Sequence, residues 1–198
     1  MAVINKTEFN INNLKSNLAG GGARTNLFSV TINAPLAGLS SFGTAQTKTS
    51  TFLINQTKLP EVQMGTISVP YMGRKLRLPG DRAFEEWNVT VINDEDFMVR
   101  NAMEEWTSKI NGIRTNTRDT SMLTIDSLKA TATVTQYTKA GVEARTYRFE
   151  GLFPTQISPI ELDWSQNDQI EYFGVTFAYD YWTTDTTGTG GSRGGAGQ

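Results

Sequence analysis

The 198-residue sequence contains no cysteine and no histidine. Without cysteine the chain has neither disulfides nor thiolate metal ligands. Without histidine it lacks the commonest general base, the usual imidazole ligand and the side chain that titrates near neutral pH. No P-loop, dinucleotide fingerprint, nucleophile elbow or metal-ligand spacing is present either. The sequence therefore predicts a protein that is not an enzyme and that uses no metal or cofactor.

Long hydrophobic runs and an excess of one charge are also missing. No window approaches the ~18 apolar residues of a membrane-spanning helix, and the N-terminus has no apolar core of a secretion signal. The 18 basic and 20 acidic residues leave a net charge of −2. Because so small a charge creates no global field toward nucleic acid or an anionic membrane, we expect neither a nucleic-acid binder nor a membrane anchor.

The residues that are present suffice for one domain with loose ends. Apolar residues make up 38% of the chain and aromatic residues 10%, which can supply a core. Residues 1–23, rich in Asn, Lys and Gly, are predicted to be a flexible N-terminal segment. Residues 24–182 are predicted to be the folded domain, and residues 183–198, rich in Gly and Thr, a disordered tail.

Within the domain, apolar and polar residues alternate over several stretches, which indicates half-buried strands. These stretches are residues 25–33, 86–93, 124–138, 143–153 and 170–182, with a further strand from about residue 49 to 59. Helical spacing occurs at residues 94–111, after acidic residues suited to a helix N-terminus. The stripe predicted to face the core is Val99, Ala102, Met103, Trp106 and Ile110. Since no β-α-β order repeats, the sequence predicts a mainly β fold, an antiparallel barrel or sandwich with one flanking α-helix.

Residues 60–82 do not fit this domain. Two strand-like runs, 65–71 and 74–78, are joined by Met72-Gly73 and followed by Pro79-Gly80, which is typical of a hairpin. Two prolines and several cations keep most of it from being buried in its own domain. The stretch is therefore predicted to be a long protruding β-hairpin arm that contacts a neighbour.

The arm and the end of the domain carry opposite charge. The arm is mostly basic, whereas residues 149–182 contain six acids and no Lys or Arg. Ordinary solvated surface explains any single one of these residues. Two segments of opposite sign favour head-to-tail association, which produces a ring or an open filament. The residues predicted to make inter-ring or inter-subunit contacts are Arg74, Lys75, Arg77, Asp81, Arg82, Glu161, Asp163 and Asp168.

Three stretches resemble tail tube proteins of contractile, T-even-like bacteriophages. They are RTNLFSVTI, RKLRLPGDRAFEEWNVTVINDED and GLFPTQISPIELDWSQNDQIEYFGVTFAYDYW, in the order of that family. The resemblance implies a structural subunit of the inner tail tube, built from stacked hexameric rings that conduct the genome into the host cell. It also implies self-association, contacts with sheath, tape-measure, baseplate and terminator proteins, assembly in the host bacterial cytoplasm and a place in the virion tail.

The family also implies that strands of neighbouring subunits join into one inner barrel. Four strands from each of six subunits would give about 24 strands, a backbone diameter of about 50 Å and a lumen of about 40 Å, wide enough for duplex DNA. Because repeated phosphate contacts would stall the duplex, we expect double-stranded DNA to pass through a polar lumen without specific binding. The predicted lumen-facing residues are Thr131, Thr133 and Thr135, while Arg148 shares a predicted face with Thr146 and Glu150.

Two alternatives stay open at this point. One is the tube of a phage-derived contractile injection system, which carries protein instead of DNA. The other is a stand-alone β-barrel that binds a glycan or small ligand on Trp87, Trp164 or Tyr179. Carboxylates at Glu161, Asp163, Asp168 and Glu171 would even suit glycoside hydrolysis, but acidic loop residues are mostly solvated surface.

Overall fold

The computed structural model describes residues 10–18, 20–33, 51 and 53–185. In these ranges the elements follow one another as α1 (Ile11–Asn17), β1 (Phe28–Asn33), β2 (Ile54–Thr57), β3 (Gln63–Tyr71), β4 (Arg74–Ala83), β5 (Trp87–Ile92), α2 (Met98–Ile110), a 3-10 turn (Thr120–Met122), α3 (Ile125–Leu128), β6 (Ala130–Tyr137), β7 (Glu143–Ile157), β8 (Tyr172–Ala178) and β9 (Tyr181–Asp185). None of the helices in these ranges is long and apolar enough to cross a membrane.

Seven strands form one antiparallel sheet in the order β1-β6-β7-β8-β5-β2, with β9 also paired to β7. The long strand β7 divides this sheet into two parts. Its residues 143–152 pair with β6 and, on the other side, with β9. Its residues 153–157 pair with β8. We call the first part sheet I (β1, β6, β7 and β9) and the second part sheet II (β7, β8, β5 and β2).

The two sheets meet where Gly151 lies opposite Asp180. Gly151 has a φ of 72°, and a Cβ there would overlap the Asp180 carboxylate. The Asp180 N–H donates to the Glu150 carbonyl at 3.0 Å. The single strand predicted over residues 170–182 is therefore wrong, because it breaks between β8 and β9. As a result Trp182 pairs with Phe149 and faces the core, whereas Tyr181 faces outward.

Helix α2 covers the core, which lies between it and the inner faces of the strands. Val99, Ala102, Met103 and Trp106 are buried, Ile110 packs at the edge of the core, and the Trp106 indole donates to the Leu128 carbonyl at 3.1 Å. The helix begins at Met98 and not at residue 94 as predicted, because Phe97 adopts a left-handed conformation with φ 52°. Asp94 still caps it by accepting the Met98 N–H at 3.0 Å.

Other boundaries also differ from the sequence-based ones. Strand β6 begins at Ala130 and not at 124, because Asp119 and Thr124 cap the 3-10 turn and α3. Strand β9 reaches Asp185, so residues 183–185 are strand and not tail. Helix α1 lies within the segment predicted to be flexible, but none of its side chains is buried. The expected loop at 34–50, the first strand residues from about 49 and the tail from 186 onward lie outside the described residues.

Candidate assembly interface

The arm is a regular hairpin of nine- and ten-residue strands, β3 and β4, which form a sheet of their own. Met72 and Gly73 connect them with φ values of 42° and 80°. Positive φ at both central residues is the requirement of the two-residue turn that matches strand twist. At ~3.3 Å per residue the arm extends about 30 Å. Apart from the half-buried Gly80, every residue of both strands is exposed.

The two faces of the arm differ in chemistry. Cross-strand partners share a face, and Ile67 pairs with Leu78, Val69 with Leu76, and Tyr71 with Arg74. One face is therefore apolar except for a single arginine at the tip. The opposite face carries Thr66, Ser68, Pro70, Lys75, Arg77 and Pro79. Sequence reasoning recognised the cations but missed the apolar face, although Ile67, Val69 and Tyr71 alternate plainly.

Aromatic residues fix the root of the arm to the body. The Trp87 ring stacks on Phe149 at 4.5 Å, and its indole donates to the Thr57 hydroxyl at 2.9 Å and the Lys58 carbonyl at 3.0 Å. Phe84, directly after the second arm strand, packs against Tyr179 with ring centroids 5.9 Å apart. Both chain ends of the arm are thus held by the same cluster. Phe84 and Trp87, the first and last residues of the sequence FEEW, therefore both serve to attach the arm to the body.

The two arm strands form a β-bulge near the root of the arm, where their backbones lie close together. A Cβ at Gly80 would lie 3.0 Å from the Gly65 carbonyl carbon, and one at Gly65 would lie 3.2 Å from the Asp81 oxygen. The register shifts between Met64 and Thr66. Two facing glycines therefore allow the two backbones to approach closely at the bulge.

The loop at residues 158–171, between β7 and β8, is a second exposed surface. Trp164 is fully exposed at 101% and Leu162 is 79% exposed. Leu162 lines an open groove of about 420 Å³ together with residues that include Ile170, Tyr172, Glu161, Asp163 and Glu171. Trp164 does not line this groove but follows Asp163 in the same loop. We call the groove and the exposed Trp164 side chain of the same loop, taken together, the Trp164 groove. The Ser165 N–H and hydroxyl bind Asp163 at 2.9 and 2.8 Å and lower the pKa of its carboxyl group, so Asp163 stays ionised to lower pH than an ordinary aspartate.

Three of the six acids predicted to form the acidic patch are bound to residues outside their own loop or on a neighbouring strand position, whereas the Asp163 carboxylate is bound by Ser165 of the same loop. Glu150 pairs with Arg148 at 2.8 Å, Asp180 pairs with Lys129 at 2.6 Å, and Glu171 accepts from the Asn93 amide at 2.8 Å. The other three, Glu161, Asp163 and Asp168, are exposed, and none of the salt bridges within the described ranges involves them. The patch available to a partner is therefore confined to the loop.

The arm and the Trp164 groove lie at opposite ends of sheet II. The arm ends just before Trp87, which pairs with Phe177, whereas the loop ends just before Tyr172, which pairs with Ile92. Between them runs the six-residue strand β5, about 20 Å long. The structure therefore does not bring the predicted basic and acidic residues together within one subunit.

The three predicted lumen residues share one face of sheet I, opposite the core. The strand registers align that face into three rows across the sheet. The rows are Asn33-Thr131-Glu150-Tyr181, Thr31-Thr133-Arg148-Thr183 and Ser29-Thr135-Thr146-Asp185. Thr131 and Thr133 are half-buried, whereas Thr135 is only 8% exposed and lies 3.3 Å from the Thr146 hydroxyl.

The aromatic residues considered for ligand stacking are not gathered into one site. Trp87 is buried in the core, and Tyr179 packs edge-on against Phe149 at 5.0 Å. Only Trp164 of the three is open to solvent. A lowered pKa at Asp163 is also the opposite of what a general acid requires.

Comparison with known proteins identifies the family to which this chain belongs. A family model described as phage tail tube protein matches residues 23–185. The chain belongs to the phage tail tube protein family. It is 34% identical over 165 residues to the tail tube protein gp19 of Enterobacteria phage T4, which covers 83% of this chain and 93% of that protein. Membership identifies the chain as a virion component, a structural subunit of a phage tail tube.

Solved structures share the fold of this tail tube protein. A chain in the cryo-EM structure of the anti-feeding prophage cap, which terminates the tube, superposes with a TM-score of 0.58 at 18% identity, over 84% of this chain and 92% of that one. A chain in the sheath-tube complex of an extracellular contractile injection system, PVC, has a TM-score of 0.56 at 17% identity, over 87% and 97%. At such identities the likeness establishes a common fold.

Proposed function

We propose that this tail tube protein polymerises into stacked hexameric rings that form the inner tube of a contractile phage tail, through which double-stranded DNA enters the host. The observation that carries this proposal is sheet I. It has four strands, a core on one face and a polar opposite face. Within the described part of the chain, β1 and β9 stand at its ends with one edge unpaired. An unpaired edge is a template for another chain, so β1 of one subunit joins β9 of the next.

The polar face of sheet I suits a passage for DNA. Its three rows hold one cation, Arg148, and two anions, Glu150 and Asp185, a net charge of −1 in each subunit. Arg148 is also held by Glu150 at 2.8 Å, so the only cation in the rows is neutralised by its neighbour. Since binding to phosphate depends on unpaired cations, this face offers the duplex little to bind. Thr131, Thr133 and Thr135 line the lumen in this assignment.

Stacking of the rings uses the two surfaces at opposite ends of sheet II. The basic arm residues Arg74, Lys75, Arg77 and Arg82, with Asp81, meet Glu161, Asp163 and Asp168 of a subunit in the adjacent ring. Both sets are exposed, and they differ in sign. Subunits stacked in the same orientation present one set to the other, as a heterologous contact requires.

Further partners follow from what the related proteins assemble with. The solved relatives include a sheath-tube complex, a tube terminator and a baseplate, so a sheath, a terminator and a baseplate are the proposed partners of this tube. A tape-measure protein is a further proposed partner, implied by the family resemblance. Assembly takes place in the host cytoplasm, the role is structural without catalysis, and residues 1–23 and 186–198 flank the tube domain, whose last strand ends at Asp185. Phage proteins are the relatives at 34% identity, whereas the injection-system chains stand at 17–18%, which favours a phage tail over an injection machine.

Sedimentation velocity and negative-stain microscopy of the pure protein test the assembly itself. Rings or long tubes are expected, and a protein that remains monomeric at high concentration would contradict the proposal.

The lumen assignment needs a second experiment, which exploits the absence of cysteine. Thr133→Cys gives a single thiol that a bulky maleimide reaches in dissociated subunits but not through the wall of assembled tubes. Arg74→Cys should also be protected in tubes, because the proposed ring contact covers it, whereas Arg118→Cys, exposed and outside the proposed contacts, is the control that stays accessible. Rapid labelling of Thr133→Cys along the outside of intact tubes would rule out the inward orientation.

A further inference from the structure

We propose that the Trp164 groove is the receptor for the arm of a second copy of this chain, and that the apolar face of the arm, rather than its cations, makes the central contact. The inference rests on the proposed tube and adds the site on which each arm is seated.

The 158–171 loop presents the apolar side chains of an anchor site, with Leu162 and Ile170 lining the groove and Trp164 exposed in the same loop. Trp164 is fully exposed, and Leu162 and Ile170 are mostly exposed. The other three tryptophans differ, since Trp87 and Trp106 are buried and Trp182 is half-buried. Tryptophan is among the residues that carry most of the binding energy at interfaces, and it does so when it is desolvated by a partner. Exposed acids, Glu161 and Asp163, line the same groove.

The arm matches the groove in both composition and charge. Its apolar face presents five large side chains, Ile67, Val69, Tyr71, Leu76 and Leu78, each at least 42% exposed. Arg74 lies at the tip of that same face, and Lys75 and Arg77 lie on the other. An apolar centre with a charged rim therefore meets an apolar centre with a rim of the opposite sign, which is the usual anatomy of a specific interface.

The position of the two surfaces selects the occupant. They lie at opposite ends of sheet II, separated by the length of β5, and the arm root is fixed by Trp87 and Phe84. One copy therefore does not fold its arm into its own groove. Two copies stacked in the same orientation place the arm of one against the groove of the other, which is a head-to-tail contact between two different surfaces. We therefore infer that the arm of a second copy of this chain occupies the groove. The experiment below distinguishes this occupant from a sheath protein.

Tryptophan quenching tests the contact in the unmodified protein. In dissociated subunits acrylamide quenches mainly Trp164, because the other indoles are shielded. We expect quenching to fall several-fold in bare tubes, and Trp164→Phe to show weak quenching in both states. If Trp164 stays as accessible in bare tubes as in subunits, or becomes protected only when sheath is added, the proposal is wrong.

Cross-linking tests the pairing of the two surfaces. In tubes of the double variant Leu76→Cys with Leu162→Cys, a short bis-maleimide should join successive subunits into a ladder on a denaturing gel. Neither single variant should form a ladder, and Arg77→Cys with Leu162→Cys should form a weaker one because Arg77 lies on the other arm face. Normal tubes without a ladder would overturn this inference and leave the tube function intact. A folded, unmodified protein that forms neither rings nor tubes would overturn the proposed function instead.

Discussion

Strand β5 and the arm carry the same alternation of apolar and polar residues, yet one is buried and the other is not. In β5, Trp87, Val89 and Val91 are at most 2% exposed, because they belong to the core that α2 covers, where Trp87 stacks on Phe149 of sheet I. In the arm, Ile67 and Val69 follow the same two-residue period but remain 55% and 42% exposed. Alternation therefore locates an apolar face, but does not show whether that face is buried within the same subunit.

The body of the subunit is stabilised by its own core, whereas the arm has no core of its own. The body has a continuous core of side chains that satisfies itself, as expected for a domain of this size. The arm and the Trp164 groove expose several large apolar side chains each, and exposed apolar patches of this kind mark interaction sites. Substitutions in the body should change the free energy of unfolding, whereas substitutions in the arm should change assembly.

The largest effect on the subunit is expected from Trp106→Ala. This side chain is fully buried under α2 and its indole donates to Leu128. Its loss should lower the free energy of unfolding by about 3–5 kcal/mol, measured by urea denaturation. The matched control is Trp164→Ala, which should change stability by less than about 0.5 kcal/mol because Trp164 is exposed. Equal losses for the two variants would remove the distinction between body and assembly surface.

A smaller loss is expected where the two sheets join. Gly151→Ala forces a side chain into a left-handed conformation and displaces Asp180, which should cost about 1–3 kcal/mol. Gly141→Ala is the control, since Gly141 has a similar φ of 77° but open space around it. Its strain alone should cost about 1 kcal/mol. If thermal unfolding gives the same loss of stability for both variants, the close approach of Asp180 to Gly151 does not contribute to the cost.

Gly151 also illustrates where sequence reasoning stops. Alternation located most strands, the helical stripe and the shared face of the three threonines, because these depend on residues close in sequence. The break between β8 and β9 depends on a contact between Gly151 and Asp180, and the pairing of Asp180 depends on Lys129, 51 residues away. Similarly, α2 begins late because of the backbone at Phe97. Long-range contacts of this kind leave no periodic signal.

The site was predicted unevenly for the same reason. Charge is visible in a sequence, so the arm cations and the three loop acids could be predicted as contact residues, and the structure shows that they are exposed. Exposure is not visible, so Leu162 was overlooked, Trp164 was considered only as a ligand platform, and the apolar face of the arm went unnoticed. The distinguishing signal was an alternating strand pair interrupted by prolines, which keeps a hydrophobic stripe but is poorly suited to a central strand.

The apolar face of the arm can be removed with little effect on the body. Ile67→Ser combined with Leu78→Ser eliminates one cross-strand pair, worth less than about 1 kcal/mol in an isolated hairpin. Unfolding of the body should stay unchanged, while tubes disappear from negative-stain images. Thr66→Ala with Ser68→Ala, on the opposite face, should leave assembly intact. Tubes from the first variant would show that the apolar face is dispensable.

The smallest effect on the subunit is expected from reversing the arm cations. Arg74→Glu, Lys75→Glu and Arg77→Glu are exposed changes that should alter stability by less than about 0.5 kcal/mol, yet the folded subunit should no longer stack. They shift the net charge from −2 to −8. Reversing Arg114, Arg118 and Lys139, which are also exposed, produces the same −8 and controls for general repulsion between subunits.

The pair of charge variants decides between two sources of stacking energy. If only the arm variant fails to form tubes, and added salt does not restore them, local complementarity with the loop acids is required. If both variants fail and both recover in salt, the cause is net charge, because salt screens repulsion between distant exposed groups. Normal tubes from the arm variant would refute the electrostatic contact. They would leave the apolar face as the only feature of the arm able to hold adjacent rings together.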